Sequence, residues 1–385
     1  MSNILKSDTT KIYFRGLDSM RFIAISFVVL HHFFTFRNYY DTEHIIEFPI
    51  IGRIGYYGIQ FFFAGSGFLI TYLLLAEKTK YGNISLKKFY LRRILRIWPA
   101  YYSTIFIGLV IVLQIEFFNI PSITNNYLNA DYSIANLLYF LFMPHFAGAL
   151  YPTAPYVHQT YTIGMEEQFY FLWGMMFVLI FRRLKVVFWI FLLLLPSINA
   201  LLQNYGQNGY LGNSLLVKGI TTFFYFVCYF RIPTFALGSL WAYSYFQNAG
   251  WLKIFQIKWF QLLCFALFVL SVYFNFSIPI FGDEYMALLT LCVFSSVMHE
   301  KSIINLEVGW LKYLGKISYG IYLYHIFSIV LSIKLAMVLF SDISEPAAII
   351  FLVITVMASS IFLGWLSYIT VESYFLRIKK RLARV

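Results

Sequence analysis

The chain has 385 residues, 60% of them hydrophobic, 21% aromatic and only 12% charged, with a mean hydropathy of +0.71 and a net charge of +12. A soluble domain carries about 25% charged residues, so this composition excludes a secreted or cytosolic enzyme. The basic residues lie in short segments between apolar runs rather than on one solvated face, which makes them topology signals and excludes a nucleic-acid partner.

Continuous apolar runs near the roughly 20 residues that cross a bilayer predict an all-α, polytopic membrane helix bundle rather than a barrel of alternating strands. The runs place ten transmembrane helices at 19–36, 54–76, 97–118, 161–181, 186–202, 220–246, 257–275, 285–299, 313–340 and 347–376. The first is preceded by a mostly polar stretch and lacks a small-residue cleavage motif, so it reads as a retained helix and not as a signal peptide. Lys78, Lys80, Lys87, Lys88, Arg92, Arg93 and Arg96 cluster after the second span, Arg182, Arg183 and Lys185 after the fourth, and Arg377, Lys379, Lys380, Arg381 and Arg384 in the tail. Asp41, Glu43, Glu47, Asp131, Asp283, Glu284, Asp342 and Glu345 mark the opposite loops, so both termini are expected in the cytoplasm. Residues 134–148 are apolar enough for an eleventh element, but a crossing there would move the Arg182 block outside, and a re-entrant or interfacial piece is expected instead. Cys228, Cys264 and Cys292 each sit in an apolar run without metal-ligand spacing and read as packing residues. No repeat and no appended soluble domain is evident, so residues 1–385 read as a single transmembrane domain that carries its own chemistry.

Ionisable residues inside membrane helices mark functional sites. Arg21 and His32 are eleven positions apart on the first helix, which returns the azimuth to within roughly 20° and separates them by about 16 Å, while His31 projects about 80° away. His32 is thereby a candidate acid/base; a snorkelling Arg21 is the plainer alternative. Glu166 and Glu167 open the fourth span, where a helix N-terminus accounts for one carboxylate; Glu167 is expected to orient a reacting group or pair with a buried cation. Arg92, Arg93 and Arg96 share one helical face and suit a phosphorylated ligand, since guanidinium forks match phosphate oxygens. His325, about twelve residues into its span, reaches a depth similar to that of His32, as a second site histidine or as part of a structural Tyr/His network. No metal-ligand set is expected.

With these residues in place, the chain resembles acyltransferase family 3, the membrane proteins that include O-antigen and exopolysaccharide O-acetyltransferases. The resemblance is carried by Gly16 to Arg21 running on to His31 and His32, Gly65-Ser66-Gly67, Arg92-Arg93-Ile94-Leu95-Arg96-Ile97-Trp98-Pro99, Glu166-Glu167-Gln168-Phe169-Tyr170, Arg231-Ile232-Pro233-Thr234-Phe235, the stretch from Gly315 to His325, and Glu372. The chain departs from the family pattern at Tyr161-Thr162 and at Tyr374. The resemblance implies an enzyme of the cell (inner) membrane that moves an acyl, commonly acetyl, group from cytoplasmic acyl-CoA to a hydroxyl of a carbohydrate or lipid-linked glycan at the outer side. His32, Arg21, Glu167 and His325 would form its catalytic set, and Arg92, Arg93 and Arg96 would hold the acyl-CoA. A multipass transporter or flippase with an intramembrane His/Arg/Glu relay is the competing reading, against which stands the absence of repeated halves. A membrane sensor with a degenerate site is a third.

Overall fold

The computed structural model describes residues 12–381 except 42–48, 130, 152–153, 180–182, 195, 199, 202–230 and 341. Helices are the regular element throughout, with no strand among the described residues. They run α1 (Leu17–Tyr40), α2 (Pro49–Tyr81), α3 (Leu86–Phe106), α4 (Ile123–Leu128), α5 (Ser133–Phe140), α6 (Pro144–Leu150), α7 (Tyr161–Leu179), α8 (Leu184–Trp189), α9 (Ile232–Phe246), α10 (Lys258–Phe274), α11 (Gly282–Met298), α12 (Gly309–Lys316), α13 (Ser318–Leu339), α14 (Pro346–Ser367) and α15 (Ser373–Arg381).

Five helical stretches among the described residues are long and apolar enough to cross a bilayer: Leu17–Tyr40, Pro49–Tyr81, Leu86–Gln114, Ser318–Leu339 and Pro346–Arg381. A sixth is counted if the short helix Gly250–Gln256 and α10, bent by 83° at their junction, form one broken span. The protein is therefore a multi-pass, all-helical membrane protein, with fewer spans passing that test than the ten expected. Helix α7 carries Glu166 and Glu167, and α9 and α11 have only 15 and 17 residues. Residues 195, 199 and 202 of the predicted fifth span and 220–230 of the sixth lie outside the described residues, as does Cys228.

Two boundaries differ from expectation. Helix α3 begins at Leu86, not near 97, because Ser85 caps it by accepting from the Lys88 amide, and the whole basic run becomes helix. The predicted ninth span divides at Ile317 into α12 and α13. Residues 133–150 hold two helices of 8 and 7 residues, about 10–12 Å long and too short to cross, as a re-entrant or interfacial piece would be.

Packing sets the levels at which residues meet. Gly55 and Gly58 of α2 face His31 and Ala24 of α1, so α1 and α2 are antiparallel. Gly315 abuts the Asp18 carbonyl while His325 meets His32, so α13 runs parallel to α1 at its side. A second close helix contact joins α2 and α9: a Cβ at Gly67 would lie 2.1 Å from the Phe235 carbonyl oxygen, and one at Gly238 2.0 Å from that of Ala64. Small residues permit such backbone approach where lipid supplies no hydrophobic drive between helices.

Candidate active site

His32 and His325 are brought together from α1 and α13. His32 Nδ1 lies 2.7 Å from His325 Nε2, and the rings are nearly parallel at 14° with centroids 4.9 Å apart. His325 is fully buried, and its Nδ1 is 2.5 Å from the Tyr322 carbonyl oxygen. A carbonyl only accepts, so a neutral His325 carries its proton on Nδ1 and offers a lone pair at Nε2. His32 Nδ1–H then donates to that lone pair, leaving His32 Nε2 as the basic nitrogen of the pair. His31 turns toward α2 as its azimuth requires: its Cβ lies 2.3 Å from where a Gly55 Cβ would stand.

A polar column continues from this pair toward the N-terminal end of α1. The Tyr322 hydroxyl donates to the Gln159 carbonyl at 2.5 Å and lies 2.6 Å from Thr162 Oγ1, while Gln159 Nε2 donates to the Leu323 carbonyl at 2.9 Å. These bonds fix the start of α7 against α13. One turn further along α7, Glu166 accepts from Ser66 and from Tyr170, each at 2.9 Å, and the Tyr170 and Ser66 hydroxyls are themselves 2.9 Å apart. Glu167 accepts from Trp98 Nε1 at 2.9 Å through Oε2, whereas its buried Oε1 has no partner. Arg93 is its electrostatic neighbour.

The arginines gather at the end of the column. Arg21 pairs with Asp18 at 3.1 Å and stands in the field of Arg96, Glu166 and Tyr170. Arg93 is buried beside the rings of Phe89 and Tyr170, at 6.0 and 5.7 Å, with no partner for its Nε. Arg92 differs from its neighbours in its partner: it is held at 2.8 Å by the buried carboxylate of Glu77, while standing in the field of Arg93 and Lys379. Lys379 of α15 faces Arg96, Arg93 and Arg21, and Glu372, bonded to Ser367 at 3.1 Å, lies near Arg96. Arg21, Arg93 and Arg96 thus concentrate positive charge beside Lys379, where an anionic ligand would relieve their mutual repulsion.

Of the seven expected site residues, His32 and His325 touch, Glu167 lies beside Arg93, and Arg21 and Arg96 share one end; Arg21 does not contact His32. The Ser66, Glu166 and Tyr170 triangle was legible in part, since Glu166 and Tyr170 are four residues apart on one helical face. Lys379 and His158 carried no local signal. Among the described residues no group of three His, Cys, Asp or Glu side chains could hold a metal ion.

Comparison with known proteins identifies the family. Residues 14–365 match a family model described as an acyltransferase domain. The chain is 26% identical over 334 residues to "Putative peptidoglycan O-acetyltransferase YrhL" of Bacillus subtilis, covering 83% of this chain and 49% of that protein. It is 27% identical over 340 residues to peptidoglycan O-acetyltransferase OatA of Listeria monocytogenes, covering 81% and 49%. The chain thus spans about half the length of these curated relatives. No solved structure matches it. With nearly its whole length aligned and the histidine, glutamate and arginine motifs placed along one polar column, the chain belongs to acyltransferase family 3.

Proposed function

We propose that this protein is a membrane O-acetyltransferase that takes the acetyl group of acetyl-CoA at its basic end and delivers it to a hydroxyl of a cell-surface glycan. The His32, His325 and Tyr322 relay carries this reading, because it leaves His32 Nε2 as a base. In the reaction, His32 Nε2 removes the proton of the acceptor hydroxyl as the oxygen attacks the thioester carbonyl. The tetrahedral intermediate collapses with cleavage of the C–S bond, and the imidazolium returns its proton to the departing CoA sulfur. Arg93, Arg96, Arg21 and Lys379 would neutralise the phosphates of CoA, with the pantetheine arm reaching along the column toward His32. Arg92, held by Glu77, serves the fold of that end.

The positive-inside bias supports a topology of ten spans in the cell membrane, with both termini and the arginine cluster on the cytoplasmic side. A peptidoglycan fragment is the first acceptor to test, on the names of the relatives. Purified protein in lipid nanodiscs should transfer label from acetyl-CoA to muroglycan oligosaccharides, or to another carbohydrate in a panel of lipid-linked and polymeric glycans. Movement of an unmodified glycan across the membrane with no acetyl transfer would favour the transporter reading and overturn this one.

A further inference from the structure

His158 sits in the short helix His158–Thr160 that leads into α7. Its buried Nδ1 has no hydrogen-bond partner, although its ring packs at 5.6 Å from that of Tyr161 and 3.4 Å from where a Cβ of Gly148 would stand. A buried polar atom without a partner is costly unless something else supplies one. Burial pushes this imidazole below its ordinary value, so at neutral pH it holds one N–H and one lone pair. His158 is also an electrostatic neighbour of His32.

From Tyr161 the polar surface continues outward. Tyr161 neighbours Tyr56 at the start of α2, and Tyr56 is 38% exposed, donates to Asp283 and lies beneath the Arg231 guanidinium at 5.5 Å. Arg231 and Asp283 form an ion pair whose side chains remain 26% and 24% exposed, and Gln60 Nε2 donates to Asp283 at 2.8 Å. No side chain is bonded to the carboxylate of the adjoining Glu284 among the described residues. Aromatic faces beside fixed carboxylate and guanidinium groups suit a polyhydroxylated ring, which offers one apolar face and a rim of hydroxyls that both donate and accept.

We infer that Tyr56, Tyr161 and His158, rimmed by Arg231, Asp283 and Glu284, form the acceptor subsite, in which His158 Nδ1 bonds the sugar next to the hydroxyl that His32 deprotonates. This rests on the proposed O-acetyltransferase reading and names the surface that would hold its carbohydrate.

The test is equilibrium binding of a labelled muroglycan tetrasaccharide, and separately of acetyl-CoA, to the full chain in nanodiscs. His158→Phe keeps the ring and removes both nitrogens, so glycan affinity should fall about tenfold or more, while acetyl-CoA affinity stays within about twofold. His158→Asn, whose amide overlays Nδ1, should remain within about threefold of wild type. If His158→Phe does not fold, saturating tetrasaccharide should instead protect wild-type His158 from diethyl pyrocarbonate, read by mass spectrometry. Unchanged glycan affinity in folded His158→Phe, or no protection, overturns the subsite while leaving the acyltransferase reading intact. Binding of acetyl-CoA without binding of this or any other carbohydrate would instead show that the acceptor class itself is wrong.

Discussion

His32 and His325, 293 residues apart in sequence, meet nitrogen to nitrogen at 2.7 Å, and the Tyr322 carbonyl behind His325 fixes which of the four ring nitrogens is left basic. The geometry has the logic of a hydrolytic triad, with a histidine and a backbone carbonyl in the orienting positions. General-base contributions run about 10²–10⁴-fold, so His32→Ala should lose at least two orders of magnitude in acetyl transfer. His325→Gln, whose amide oxygen can accept from His32 Nδ1, should retain more activity than His325→Phe, which fills the space without an acceptor. Equal losses in the two variants would reduce His325 to packing. His31→Ala should lower thermal stability through its contact with α2 and leave the rate per folded molecule near wild type.

The ion pair of Arg92 with Glu77 separates two roles that one basic motif would otherwise share. Removing one partner of a buried pair leaves the other charged and uncompensated, at about 3–5 kcal/mol. Arg92→Ala should therefore lower the unfolding temperature strongly, and Arg92→Met with Glu77→Gln should recover much of it. Arg96→Ala should instead keep the fold and weaken acetyl-CoA binding more than Arg96→Lys does. Thermal unfolding and donor titration on the same preparations distinguish the two. A stable Arg92→Ala protein with weakened donor binding would return Arg92 to the phosphate site.

What was legible in the sequence is what a single helix decides. The azimuth of α1 separates His32 from His31, and the depth of His325 in its span places it level with His32. Sequence hydropathy starts α3 late because Lys87, Lys88, Arg92, Arg93 and Arg96 lower it over the first turns while leaving helix propensity high. The division at Ile317 lies two residues from Gly315, which packs on the Asp18 backbone, a contact between segments almost 300 residues apart. The same holds for Arg92: helical spacing groups it with Arg96, and only the fold brings Glu77 to it. His158 has no such signal, because a histidine three residues before a helix has no periodic context and its surroundings are set only in space.

The crossing of α2 and α9 also gives a prediction about stability. Cβ atoms at Gly67 and Gly238 would lie 2.1 and 2.0 Å from carbonyl oxygens of the facing helix, which are backbone atoms and cannot rotate away. Gly67→Ala and Gly238→Ala should each destabilise the protein by about 1–3 kcal/mol, the usual range for overpacking. Gly65→Ala, with nothing within 4 Å of the added methyl, should be neutral. Thermal unfolding in nanodiscs compares the three directly. A Gly238→Ala protein as stable as Gly65→Ala would mean that the helices do not approach so closely.

The side of the membrane on which each end lies can be read chemically. Asn83 sits exposed between Lys78, Lys80, Lys87 and Lys88, whereas Glu345 sits exposed at the start of α14 beside Asp342. The lysines should remain on the side where the membrane potential and the insertion machinery retain positive charge. After replacement of the three native cysteines by serine, Asn83→Cys in intact cells should resist a membrane-impermeant maleimide and react once the cells are opened. Glu345→Cys should react in intact cells. The reverse pattern would place the arginine cluster outside, where cytoplasmic acetyl-CoA cannot reach it, and the proposed direction of transfer would fail even with His32 and His325 in contact.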